Sequence, residues 1–210
     1  MSCKACGDIE PGKFIPVNDR YECCSCGNIV SPNPPDKWDK YFHSICETVA
    51  ANSSCLSRKI GAILVRDKSI ISTGYNSPAR GIPHCGAERF AKDPTLNHIP
   101  LLDETKELYG DTDINTICPR KLLGYESGKG MEYCTAQHAE ENCVSNAARF
   151  GTSTVNSILY MNCIIPCKNC FSTLINAGIK EIVIESEDYY DNHTEFIAQN
   201  SNIIIREFNL

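Results

Sequence analysis

Two short stretches constrain this chain more than anything else in it: QHAEENC, where His138 and Glu140 stand two residues apart, and PCKNC, which supplies Cys167 and Cys170. Each opens a segment with helical character. His138 and Glu140 fall in the first turn of one predicted helix (about 138–150). Cys167 and Cys170 fall in the first turn of another, which runs from Lys168 to Ala177 and is stopped by Gly178. Whatever fold forms must bring these two helix starts together if the residues act jointly. One imidazole and two thiolates are three soft ligands, and a zinc ion held by three protein groups keeps a fourth position open for chemistry. Helix N-termini favour thiolates, which strengthens the reading. Glu140 is close enough to such a centre to exchange protons without being a ligand. Two plainer readings compete. The acids could simply complement a helix dipole, or the cysteines could form a structural site with a fourth ligand such as Cys134, which begins a C-x3-H spacing.

The rest of the pattern is that of a layered sheet. Trp38, Phe42, Ile45 and Val49 recur at helical spacing. KIGAILVRD and SIISTGYN are β-rich runs joined at Asp67-Lys68, a hairpin signature. After residue 138 the order is helix, strand (SILYMNC), helix, strand (KEIVIES), short helix near 192–200, strand (NIIIREF). Strands alternating with helices predict an α/β sheet covered on its faces. Residues 86–133 are polar and weakly periodic, and read as a long insertion.

Fourteen cysteines in 210 residues call for an explanation beyond the pair in PCKNC. The hydrophobic content of 42% is that of an ordinary globular core, not of a small disulfide scaffold. Cys3, Cys6, Cys23 and Cys26 form C-x2-C-x16-C-x2-C, the spacing of a four-cysteine zinc ribbon. The domain boundaries that follow are a ribbon-like segment over 1–31, a proline-rich linker over 32–36, and a main domain over 37–210. The net charge of −6 argues against a general nucleic-acid-binding surface. No apolar run approaches the roughly 20 residues that span a bilayer. The N-terminus lacks a hydrophobic signal region, so a cytoplasmic location is expected.

H-A-E followed by P-C-x-x-C resembles the signature of the zinc-dependent cytidine/deoxycytidylate deaminases. SSCLSRKIGAILVRDKSIISTGYNSPARG, CTAQHAEENCV, ILYMNCIIPCKNCFSTLINAGIKEIVI and DYYD are, in order, most similar to the deoxycytidylate (dCMP) branch, over roughly residues 37–208. The resemblance implies a three-layer α/β/α fold with a five-stranded mixed sheet, catalytic zinc on His138, Cys167 and Cys170, and hydrolysis of dCMP to dUMP and ammonia, which supplies the thymidylate precursor. Glu140 is the implied acid and base: water attacks C4 of cytosine while Glu140 moves its proton to N3 and then protonates the departing amine.

Further roles follow from the same resemblance. Asn76 contacts the sugar, the Ala139 backbone the pyrimidine edge, and Tyr189 packs near the base. Arg58, Lys59 and Arg80 are the nearest candidates for a 5′-phosphate. An auxiliary zinc is implied on Cys55, Cys85 and Cys134, with Cys118 the favoured fourth ligand and His84 the alternative; scattered buried thiols are the ordinary alternative. A homo-oligomer is also implied. Ser77 stands where the family usually has glycine after G-Y-N, a departure at the edge of the phosphate loop. Two other functions compete. One is a deaminase of another free nucleotide, nucleoside or riboflavin precursor. The other is a zinc-ribbon interaction or nucleic-acid-binding protein on a deaminase scaffold, which has no need for Glu140.

Overall fold

The structure is a computed structural model that describes residues 14–17, 20–26, 29–30, 36–97, 115–126, 128–189 and 191–210. Contacts divide the chain into two units, Met1–Tyr41 with Phe208–Leu210, and Phe42–Glu207. In the first, β1 (Phe14–Val17), β2 (Arg20–Cys23) and β3 (Ile29–Val30) form an antiparallel sheet in that order. The backbone of Asn209 closes on Asp36 and on the Asp39 carboxylate, at 2.9 and 3.0 Å. Cys3, Cys6 and most of the proline-rich stretch lie outside the described residues. Cys23 is described only as backbone in β2. Cys26 lies in an exposed turn.

The second unit is built on a mixed five-stranded sheet. Helix α1 (Lys37–Ala50) leads to β4 (Gly61–Arg66) and β5 (Ser69–Tyr75). These two strands form the expected hairpin. Asp67 and Lys68 both adopt positive φ, 51° and 60°, as a two-residue loop matched to strand twist requires. A two-residue strand β6 (Ser77–Pro78) follows, then α2 (Ala87–Lys92), α3 (Pro94–Asn97) and α4 (Pro119–Leu122) within the weakly periodic region. From there the order is β7 (Ala136–Gln137), α5 (Ala139–Arg149), β8 (Ile158–Met161), α6 (Lys168–Asn176), β9 (Glu181–Ile184), α7 (Asn192–Gln199) and β10 (Ile204–Glu207). The strand order is β10-β9-β8-β4-β5, with β8, β9 and β10 parallel and β4 antiparallel to both neighbours.

Strand alternation makes the layers. Ala62 and Leu64 of β4, Leu159 and Met161 of β8, and Ile182 and Ile184 of β9 join one buried cluster with Ala139, Cys143 and Ala147 of α5 and Phe171 and Leu174 of α6. Residues between them, such as Ile63 and Tyr160, are directly opposed and face the other side. There the Phe42 ring meets Tyr160 with 4.7 Å between ring centres. Along α1 the fully buried stripe is Phe42, Cys46 and Ala50, while Ile45 and Val49 are half-buried beside it. Gly61 explains how close α1 comes: a Cβ there would lie 2.1 Å from the Cys46 carbonyl oxygen. Among the described residues, no helix is long and apolar enough to cross a membrane.

Candidate active site

Helices α5 and α6 both begin with residues that leave their side chains free of capping duty. His138 is the N-cap of α5 and Cys167 the N-cap of α6, and neither side chain bonds the exposed amides of its own first turn. A serine or aspartate at these positions would do so. The two helix starts meet. His138 Nδ1 lies 3.6 Å from Cys167 Sγ and 3.3 Å from Cys170 Sγ, and the two sulfurs are 3.5 Å apart.

Several contacts hold α5 in place. Gly74 of β5 lets the helix press directly on the sheet: a Cβ there would fall 2.4 Å from both the Ala139 carbonyl oxygen and the Cys143 amide. Asn142 Nδ2 donates to the Tyr75 carbonyl at 2.8 Å, Ser72 Oγ to the Cys143 carbonyl at 2.7 Å, and Asn146 Nδ2 to the Thr73 carbonyl at 2.8 Å. The strand pair β6–β7 runs directly into His138. Asn142, Asn146 and Ser72 are therefore staples between α5 and β5.

The electrostatics follow from crowding three donors. The Cys167 thiol is lowered to about 4, chiefly by a hydrogen bond from Cys170 and then by His138, against the opposing effect of burial. Cys170 is pushed up, as the thiol that donates to Cys167 and is itself buried. His138 is raised to about 9, mainly by its bond to Cys167, which outweighs its burial. Glu140 is 4% exposed, and burial raises its carboxyl above the ordinary range. Two soft thiolate donors and an imidazole with mutual distances of 3.3–3.6 Å fit zinc. Tetrahedral bonds of about 2.0–2.3 Å give ligand–ligand edges of about 3.3–3.8 Å.

A cavity of about 680 Å³ contains the centre. His138, Ala139, Glu140, Cys167 and Cys170 line it, together with Asn76 and Arg58. Asn76 is buried and also ties down the loop before β4: its Oδ1 accepts from the Ile60 amide at 2.8 Å and from Ser53 Oγ at 2.7 Å, and its Nδ2 donates to the Arg58 carbonyl at 2.8 Å. Lys59 and Arg80 are not in the lining. Lys59 reaches toward the Ala51 carbonyl, and Arg80 donates to the Asn146 side chain at 2.9 Å. Tyr189 is 37% exposed and does not line the cavity, whereas Asp191 does.

The cysteines named for an auxiliary site are dispersed between the cavity wall and its surroundings. Cys55 and Cys134 line the cavity, and Cys118 is buried. Cys85 is held above the ordinary thiol range by burial, feels the charges of Cys118 and Cys134, and accepts from Arg89 Nη1 at 3.7 Å. His84 Nδ1 pairs with Ser54 Oγ at 2.6 Å. Among the described residues, the one group of three or more donors within 4.8 Å of one another is His138, Cys167 and Cys170. Arg120 of α4 also lines the cavity, and no periodicity or motif in its segment marks it.

Fold and donor cluster together define an α/β domain with a metal centre at two helix starts. The model of the cytidine and deoxycytidylate deaminase zinc-binding region matches residues 36–186, and the chain belongs to that family. It is 29% identical to deoxycytidylate deaminase of Schizosaccharomyces pombe over 90% of this chain and 49% of that protein. It is 32% identical to deoxycytidylate deaminase of Enterobacteria phage T4 over 76% of this chain and 83% of that protein. The chain spans about half the length of the two yeast relatives, 49% and 47%. The crystal structure of dCMP deaminase from the cyanophage S-TIM5 in complex with dCMP and dUMP has the same fold, with a TM-score of 0.54 at 19% identity, over 82% of this chain and 97% of that one.

Proposed function

We propose that this chain catalyses the zinc-dependent hydrolytic deamination of dCMP to dUMP and ammonia. The observation that carries the reading is the buried Glu140 beside the His138–Cys167–Cys170 cluster, all in one 680 Å³ cavity. His138, Cys167 and Cys170 would hold the ion. Zinc bound there supplies Lewis acidity that makes water nucleophilic near neutral pH. Glu140 accepts a proton from the water that attacks C4 and delivers it to N3, then carries the proton of the added C4 hydroxyl to the departing amine, so that the C4–N bond breaks, ammonia leaves and the ring becomes uracil. Burial raises the Glu140 carboxyl above the ordinary range, the direction that suits a group which both accepts and returns a proton. The Ala139 backbone meets the pyrimidine edge and Asn76 the sugar. The second hydrogen of Asn76 Nδ2 is the group left over from its bond to the Arg58 carbonyl.

The remaining features are assigned on cysteine spacing for the ribbon, on the absence of a hydrophobic signal region for the location, and on the family resemblance for the rest. Cys3, Cys6, Cys23 and Cys26 carry a ribbon zinc, and Cys55, Cys85, Cys134 and Cys118 an auxiliary zinc. The domains are 1–31 and 37–210 with a linker between. The protein works in the cytoplasm on a free nucleotide, as a homo-oligomer. Similarity to proteins named deoxycytidylate deaminase supports the substrate. Ammonia release from dCMP, dCTP, CMP, deoxycytidine and cytosine tests it: dCMP should have the highest kcat/KM. Greater turnover of deoxycytidine would move the reading to a nucleoside deaminase, and silence on all five would end the reading as a deaminase of free cytosine compounds.

A further inference from the structure

Among the described residues, Arg120 is a buried cation without a counter-ion. Its residue is 9% exposed and lines the same cavity as His138 and Glu140. Nη1 donates to the Lys129 carbonyl at 2.6 Å and contacts Met131 Sδ at 3.3 Å, which occupies both hydrogens of that nitrogen. Nε is buried and meets no acceptor. Among the described residues, Nη2 has no acceptor either, and no carboxylate pairs with the guanidinium. The unused donors are the two that share one edge of the planar group, the edge that grips two oxygens of a phosphate at once. A permanently charged group held this far from water is costly unless an anion joins it. Arg58 and Lys129 share the lining of this cavity, whereas Lys59 and Arg80 are engaged elsewhere and do not line it.

We infer that the Arg120 guanidinium anchors the 5′-phosphate of the substrate, and so sets the preference for a nucleoside monophosphate over the free nucleoside. The inference rests on the deaminase reading. Nη1, bound to the 129–131 segment, fixes the guanidinium in the cavity wall, while Arg58 adds positive charge to the same cavity. The phosphate supplies the missing counter-ion, so the burial that is unfavourable in the empty cavity becomes favourable when substrate fills it.

Steady-state kinetics of Arg120→Met and Arg120→Lys with dCMP and deoxycytidine test this. A charge-assisted bond of this kind corresponds to about ten- to a hundredfold in kcat/KM, so Arg120→Met should lose that factor for dCMP while deoxycytidine changes by less than about threefold. Arg120→Lys, which keeps the charge without the planar edge, should fall between. A guanidinium that only braced the 129–131 segment would lower both substrates together, and equal losses in both variants overturn the inference. Calorimetric titration with dUMP and deoxyuridine gives a readout that needs no turnover: the advantage of dUMP over deoxyuridine should shrink in both variants. If wild type deaminates neither substrate, the deaminase reading fails while this comparison still decides the anchor. An unchanged dUMP advantage overturns the anchor with the deaminase reading intact.

Discussion

At the scale of single residues, the centre depends on the same side chains standing at helix N-caps and leaving the cap unfilled. His138 and Cys167 forgo capping bonds, and the freed side chains converge with Cys170. Cys170→Ser should therefore cost one zinc per chain by elemental analysis and remove dCMP turnover with it, because a serine hydroxyl is not a zinc ligand at neutral pH; full zinc content in that variant would take Cys170 out of the centre. The other buried thiols behave differently. Burial pushes the Cys46 thiol up to about 12, and Cys143, wholly enclosed, is also raised. Thiolate is the reactive form, so iodoacetamide at pH 9 should label the exposed Cys24 while Cys46 and Cys143 stay unmodified in the folded protein. Labelling of Cys46 at the rate of Cys24 would show that this side of the sheet opens readily.

Among the elements, the seat of α5 on β5 decides where His138 and Glu140 stand. Gly74 is the closest point of that seat, and a Cβ there meets backbone, which cannot rotate away as a side chain could. Gly74→Ala should cost about 1–3 kcal/mol or more in urea unfolding and weaken zinc binding, since the helix that begins at His138 must lift. A variant with wild-type stability and zinc affinity would mean that α5 is not seated by this contact. The elements themselves were legible where the hydrophobic period is strong. The hairpin at Asp67-Lys68, the helix stopped by Gly178 and the strands from β8 to β10 all appear where the sequence sets them. What sequence could not reveal depends on contacts between elements. Gly74 reads only as a weak strand residue until α5 lies across it. The deepest stripe of α1 falls on Cys46 and Ala50 rather than Ile45 and Val49 because Gly61 admits the small side to the sheet. Arg120 sits in a segment without periodicity, so only the fold brings it to the cavity.

For the whole molecule, the two linked questions are how many metal ions the chain carries and what the loaded chain does. Fully loaded protein should contain three zinc ions, and Cys118→Ser should contain two while keeping dCMP turnover measurable; two in the wild type would remove the auxiliary site, the one whose cysteines do not gather within 4.8 Å among the described residues. Removing all zinc with a chelator should abolish deamination, and re-adding it should restore it. The central claim is that Glu140 moves protons at a zinc centre it does not help to hold. Zinc content and dCMP turnover measured together on Glu140→Gln test this most directly. The account predicts unchanged zinc with turnover reduced by at least about 10²–10⁴-fold, the usual contribution of a general acid–base group. Turnover within about tenfold of wild type, well short of that contribution, or loss of the zinc itself, would contradict it.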